Sequence, residues 1–443
     1  MVRDGLCVET ARSGSADSAV LQHRDRDALL PGAGPGQTKA TRVTQDVPID
    51  CCASGIKHPA TARRSSADRP LVEQFLFPAA AAYGAVAVPL SLYSMLGGAW
   101  AVPGLSTPPG HAHELFFGYA LAVVAGFLIN RMPRRSLALL VLLWLSARIS
   151  WLVLPGGALS FITNAGFAVA VAAIPAPRFM KGAKKWRNRL TGPIIITICT
   201  VAVTFHVAGL SALGWIRYLA LQQSVVLFAL LMAFFGGRLI APAAAGAIQV
   251  AGGLLEARVQ PRLEGLLLLL LIVAAALAPA LQTRPASGVL LMIAGLLTLT
   301  RLLRWRLWQC RARIDLLCLG AGYAWLAAGL LMIGASWSLE IGLTTRVAAH
   351  AITVGALGTL TTTIMARVRL LHAKRYPEVS WPFPALATLM SLAALCRLFG
   401  DGNPAALALA ATFWSLALLL LLGVLVHFSP VLKRDRARTL QPG

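Results

Sequence analysis

From about Phe75 onward the chain is written in apolar runs of about 16 to 26 residues, separated by short polar interruptions. A hydrocarbon core of about 30 Å is crossed by about 20 residues of helix, and within it every backbone N–H and C=O must be paired inside the protein. Runs of this length therefore specify transmembrane helices, and the predicted fold class is all-α, a polytopic membrane bundle whose surroundings are a lipid bilayer. Twelve spans are predicted, at about 75–97, 113–130, 135–154, 157–177, 192–214, 216–236, 263–281, 286–303, 315–334, 346–367, 381–399 and 404–428. Composition agrees, with 57% apolar and 13% charged residues against about 25% charged in a soluble domain.

The net charge of +23 would point to nucleic acid in a soluble protein. Here its distribution gives another reading. Counting loops together with the span ends beside them, the loops after even-numbered spans and the C-terminal tail carry 25 basic residues, and the other loops carry four: Arg217, Arg284, Arg346 and Arg397. Lys and Arg favour cytoplasmic loops, so both termini are predicted to be cytoplasmic and no nucleic-acid role follows. The loop before "HAHE" then faces outward.

Orientation gives each histidine a depth. His111 and His113 lie at the outer end of span two, His350 about one turn into span ten, and His206 about two turns into span five. His372 and His427 fall at the inner boundary. Imidazole is the commonest haem and copper ligand, and ionisable groups inside spans face a bundle interior or a polar cavity, so His111, His113, His206 and His350 are the candidate metal and cofactor ligands. Simpler roles stand beside that one: capping a helix mouth for the H-x-H pair, and an interhelical hydrogen bond for His206.

Residues i and i+2 lie about 200° apart on a helix, so both H-x-H rings meet one metal only if His111 belongs to the preceding loop, which Pro108, Pro109 and Gly110 permit. Glu114 would then occupy the first helical turn, suiting the helix dipole or orienting a histidine. Arg148 and Arg346, near the outer ends of spans three and ten, would either pair with a haem propionate or snorkel to the interface.

Several chemistries lack their parts. There is no phosphate-binding G-x-x-x-x-G-K-[ST], no nucleophile elbow and no H-E-x-x-H. The seven cysteines form neither C-x-x-C nor C-x-x-C-H, which excludes a zinc ribbon and covalent haem attachment. The acids in or near spans are read as Glu114, Glu264, Asp315, Glu340 and Asp401, nearly all at helix ends, so a proton-relay antiporter is poorly supported.

The stretches "HAHELFFGYALAVVAGFL", "FHVAGL", "GGRLI", "LLRWRLWQCRARIDLL", "GYAWLAAGLL", "HAITVGALGTLTTTIMARV" and "FSPVLKRDRA" together resemble the NnrS family of membrane proteins. The resemblance runs from about residue 71 to the C-terminus. It implies a twelve-span protein of the bacterial inner membrane that holds non-covalent b-type haem and copper and eases nitrosative stress, with nitric oxide or another small diatomic as its ligand. His111, His113, Glu114, His206, Arg238, Tyr323, His350, Arg367 and His372 match the family's polar motif positions. Departures are Gly320, where a histidine is expected, Leu371 in place of a glycine, and "AAAGAIQ", which lacks the usual polar residues. Two other classes stay open: a twelve-span secondary transporter, and a haem-copper oxidoreductase acting on nitric oxide or oxygen, for which four outer histidines are few.

Three segments are predicted: a tail over 1–70, a membrane domain over 71–430 and a cytoplasmic tail over 431–443. Residues 1–70 mix Ser, Gly, Asp and Arg without apolar period and cannot bury a core, so they read as disordered. Cys51, Cys52, His23 and His58 fall there and read as filler rather than a metal site. No secretory signal precedes the first apolar run. The translated start is expected nearer Leu71; intact mass of the natively expressed protein checks this, and a mass for all 443 residues overturns it.

Overall fold

The computed structural model describes residues 69–182, 186–211, 213–256, 260–376 and 379–429. The predicted N-terminal and C-terminal tails, with Cys51, Cys52, His23 and His58, lie almost wholly outside them. Each predicted span corresponds to a helix: α1 (Glu73–Met95), α2 (Pro108–Leu128), α3 (Arg134–Val153), α4 (Ala158–Gly182), α5 (Thr191–Gly209), α6 (Gly214–Val250), α7 (Pro261–Leu277), α8 (Arg284–Arg304), α9 (Ile314–Ser338), α10 (Thr345–His372), α11 (Pro382–Phe399) and α12 (Pro404–His427). Eleven are long and apolar enough to cross a membrane; α7, at 17 residues, sits at the lower limit of spanning length. Helix α6 outruns its predicted span, reaching Val250, because the Ala-rich sequence beyond Arg238 continues the helix through Pro242.

Burial is unequal. In α2, α6, α9 and α10 the apolar stretch is 67%, 72%, 61% and 67% buried, α5 is intermediate at 50%, and α1, α3, α4, α8, α11 and α12 stay at 44% or less. Helices α2, α6, α9 and α10 therefore lie toward the centre, and the less buried helices pack around them. The ring closes where α12 meets α1: Trp414 donates its indole N–H to the Gly84 carbonyl at 2.9 Å, and Ser415 donates to the Ala85 carbonyl at 2.7 Å.

The end at which odd-numbered helices begin, here the near end, is tied by three ion-pair groups. Glu73 at the start of α1 meets Arg369 (3.0 Å) and His372 (3.1 Å) of α10. Glu264 at the start of α7 meets Arg238 of α6 (2.8 Å) and Arg301 of α8 (3.7 Å), and Arg301 also donates to the Tyr323 hydroxyl of α9 at 3.2 Å. Asp315 at the start of α9 meets Arg367 of α10 (3.2 Å) and accepts from the Tyr376 hydroxyl (2.7 Å). Each acid occupies a first helical turn, where the helix dipole also favours negative charge.

Arg369 is fully buried. Removing it strands the Glu73 carboxylate, so Arg369→Ala is expected to destabilise the bundle by about 3–5 kcal/mol. The double variant Arg369→Ala/Glu73→Leu should recover most of that loss, as measured by thermal unfolding in detergent.

Candidate functional site

Helix α2 starts earlier than its apolar run. Thr107 caps it, accepting from the Gly110 amide at 3.2 Å, and Pro108 and Pro109 occupy the first helical positions, where proline's fixed φ suits a helix and its missing N–H is not needed. His111 is thus on the helix rather than in the preceding loop, which corrects the arrangement needed for both rings to share one ion. The 200° offset sends them apart. His111 meets Ser91 of α1, with Nδ1 and Oγ 2.9 Å apart, while His113 turns to α5 and meets His206, Nε2 to Nε2, at 2.9 Å.

Behind His113 lies a buried polar chain. Its Nδ1 is 2.8 Å from Glu114 Oε1, which also accepts from Arg148 Nη1 at 2.5 Å. The other Glu114 oxygen accepts from the Tyr83 hydroxyl, and Arg148 donates through its second amino group to Asn164, whose amide in turn donates to the Ser160 carbonyl at 2.9 Å. His113, Glu114, Arg148 and Asn164 are all buried. Arg148 therefore does not snorkel; it is the counterion of Glu114. Gly118 makes room for the pair, since a Cβ there would stand 2.5 Å from Arg148 Nη1 and 3.0 Å from Glu114 Oε2. Immediately after His113, residues Glu114–Ala120 widen into a π-helix, and Trp144 takes up the Gly118 carbonyl at 2.9 Å. Aromatic rings enclose the imidazole: Trp151 stacks on it with centroids 3.7 Å apart, and Phe205 lies at 5.0 Å.

Helix α10 repeats this plan. Thr344 caps it, His350 ends the first α-helical stretch, and a π-helix follows over Ala351–Ala356. Such widened turns recur at functional sites. His350 Nδ1 is 2.7 Å from the Arg346 carbonyl.

Hydrogen-bond partners assign the tautomers. A carbonyl only accepts, so neutral His350 carries its proton on Nδ1. The ionised Glu114 likewise accepts from His113 Nδ1–H. Ser91 donates its own hydrogen to the Leu105 carbonyl at 3.3 Å, and so accepts from His111 Nδ1–H. Three histidines on two helices thus present an Nε2 lone pair, the arrangement that orients imidazole for a metal. In the neutral pair, His206 Nε2–H then donates to His113.

The site is the meeting of α2, α3, α4 and α5 around His113 and His206, with His111 and His350 as half-buried neighbours within electrostatic reach of each other. A family model described as NnrS protein matches residues 74–436, which covers most of the chain. The chain belongs to the NnrS family. No curated protein matches it.

The remaining NnrS motif positions are elsewhere. Arg238, Tyr323, Arg367 and His372 all lie in the near-end ion-pair groups, where they tie helices together. Arg346 is exposed and pairs with Asp401 at 3.1 Å, as does Arg397 at 3.1 Å; hydrogen bonds from Arg397 and then Arg346 hold the Asp401 carboxyl below the usual range. Residues that sequence reasoning missed are Tyr83, Asn164, Glu73 and Arg369. Asn164 is the one amide in an otherwise apolar span, and Glu73 opens the first apolar run, so both carried a readable signal.

Gly118→Ala is expected to push the Arg148 guanidinium off Glu114, lowering stability by about 1–3 kcal/mol. In an Arg148→Ala background it should add little, because the displaced group is already gone; a thermal-unfolding double-mutant cycle checks the coupling.

Proposed function

We propose that this NnrS protein binds copper and haem at the far end of the bundle, where α2 begins and α5 ends, and acts there in tolerance of nitric oxide. The single observation carrying the proposal is the His113–His206 contact. The two Nε2 atoms face each other at 2.9 Å across one hydrogen bond, and a copper ion would take the place of the shared proton, which His206 would carry on Nδ1 instead. The donor set therefore fits one copper ion held by His113 and His206. Among the described residues no set of three or more His, Cys, Asp or Glu side chains is placed to hold a metal, so His113 and His206 are the two side chains that would hold it.

A macrocycle does not fit at that pair, because Trp151 and Phe205 already cover the rings. Haem would be held instead by His111 and His350, whose Nδ1 atoms are engaged by Ser91 and the Arg346 carbonyl; Arg346 and Arg397, here paired with Asp401, are the cations nearby for propionates. Copper bound at the inner pair would supply one-electron chemistry and affinity for a diatomic. The chain's own part is to hold the imidazoles. Glu114, fixed by Arg148 and Tyr83, keeps the proton of His113 on Nδ1, and Trp151 and Phe205 exclude water. With both termini cytoplasmic and the protein in the bacterial inner membrane, the site faces outward, toward arriving nitric oxide.

His113→Ala and His206→Ala should each abolish copper retention while leaving any haem spectrum intact, whereas His111→Ala and His350→Ala should weaken the Soret and α bands. Glu114→Gln should weaken copper affinity about 10- to 100-fold. Copper analysis and reduced-minus-oxidised spectra on one preparation check all five, and growth under nitric oxide tests the physiological role. A well-folded wild type lacking both cofactors would overturn the proposal.

A further inference from the structure

Beside the histidine pair lies a small pocket lined by Trp151, Gly157, Phe161, Phe205, His206 and Arg217. Its lining mixes glycine, aromatic and aliphatic residues with two nitrogen-bearing side chains that can be charged, His206 and the guanidinium of Arg217, near the start of α6. That guanidinium lies over the Phe205 ring, 4.4 Å from its centroid, and 5.7 Å from the centroid of Trp151. Its Nε is buried and has no hydrogen-bond acceptor, and no carboxylate pairs with it among the described residues. Arg148, Arg238, Arg301, Arg346, Arg367, Arg369 and Arg397 each have one. Arg217 is half-buried, and its sequestered Nε–H against the aromatic faces is costly to leave without an acceptor.

We propose that this pocket is a binding site for a small planar monovalent oxyanion, of the class of nitrite, with Arg217 as its recognition residue. The Nε–H and an Nη–H of a guanidinium form a fixed fork that matches two oxygens of a planar anion, which a spherical halide does not offer. The aromatic floor holds the guanidinium in place without neutralising it. His206 lines the same pocket and touches His113, so an anion held here stands next to the proposed metal ligands. The anion site itself needs only Arg217 and the pocket walls, and stands whether or not a metal occupies the histidine pair.

The test uses the full chain in phosphatidylcholine nanodiscs, stripped of metal with a chelator and titrated with sodium nitrite by calorimetry. Saturable 1:1 binding is expected, weakened about tenfold or more in Arg217→Gln, weakened also in Arg217→Lys because an ammonium lacks the fork, and unchanged in Arg346→Gln. Chloride at equal concentration should not compete. Monodisperse elution and an unshifted melting temperature confirm that Arg217→Gln is folded. Absence of saturable binding, or equal binding by Arg217→Gln, overturns the proposal. So does binding that disappears when phosphatidylglycerol replaces phosphatidylcholine, since Arg217 would then be serving a lipid phosphate. Copper retention measured on the same variants reports separately on the histidine pair, so failure of either reading leaves the other identifiable.

Discussion

A carboxylate held in a low-dielectric bundle must be matched by a cation, and the arrangement of this protein follows from how that requirement is met. Glu73, Glu114, Glu264, Asp315 and Asp401 each meet at least one arginine. Four of these acids lie in the first helical turns or beside them, and their arginines come from different helices, so each neutralisation is also a tertiary clamp. Breaking one partner leaves an uncompensated charge, which is far more costly than losing the pair's net contribution. The helices are therefore held in one register by electrostatics, within an apolar environment that offers no hydrophobic preference among faces.

The Glu114 group differs from the near-end groups in what it adds to the clamp. It joins α1, α2, α3 and α4 through Tyr83, Glu114, Arg148 and Asn164, as the near-end groups join their helices. It also spends one carboxylate oxygen on the Nδ1 of His113, which directs the opposite ring nitrogen to His206 on α5. Structural neutralisation and ligand orientation are thus performed by the same side chain. Arg217, across the pocket, has no such partner, and the contrast between the two arginines separates a charge used for packing from one available to a ligand.

How much was legible in the sequence can be argued residue by residue. The twelve spans were legible because backbone satisfaction in lipid demands apolar runs of a set length; a helix stands at each, eleven of them of full spanning length. The candidate histidines were legible because imidazole is rare in such runs. Their pairing was not: the H-x-H motif reads as one two-ligand unit, whereas Thr107, Pro108 and Pro109 begin the helix early and send the two rings to different neighbours. Arg148 reads equally as a snorkelling side chain until α4 places Asn164 against it. Glu73 escaped notice because an acid just ahead of an apolar run looks like interface, and only the packing of α10 against α1 makes it a buried counterion of Arg369.

The sequence by itself determined the solvent, the helix count and the NnrS family, since span length, charge asymmetry and local motifs are properties of contiguous residues. Tertiary structure alone decided which helices are central, which acid meets which arginine, and that His113 meets His206 across 93 positions of chain. Those choices depend on helix rotation and on close approaches such as Gly118 beneath Arg148. Lipid is indifferent to which apolar face it touches, so rotation is set by where the few polar groups can find one another, and that is a property of the assembled bundle.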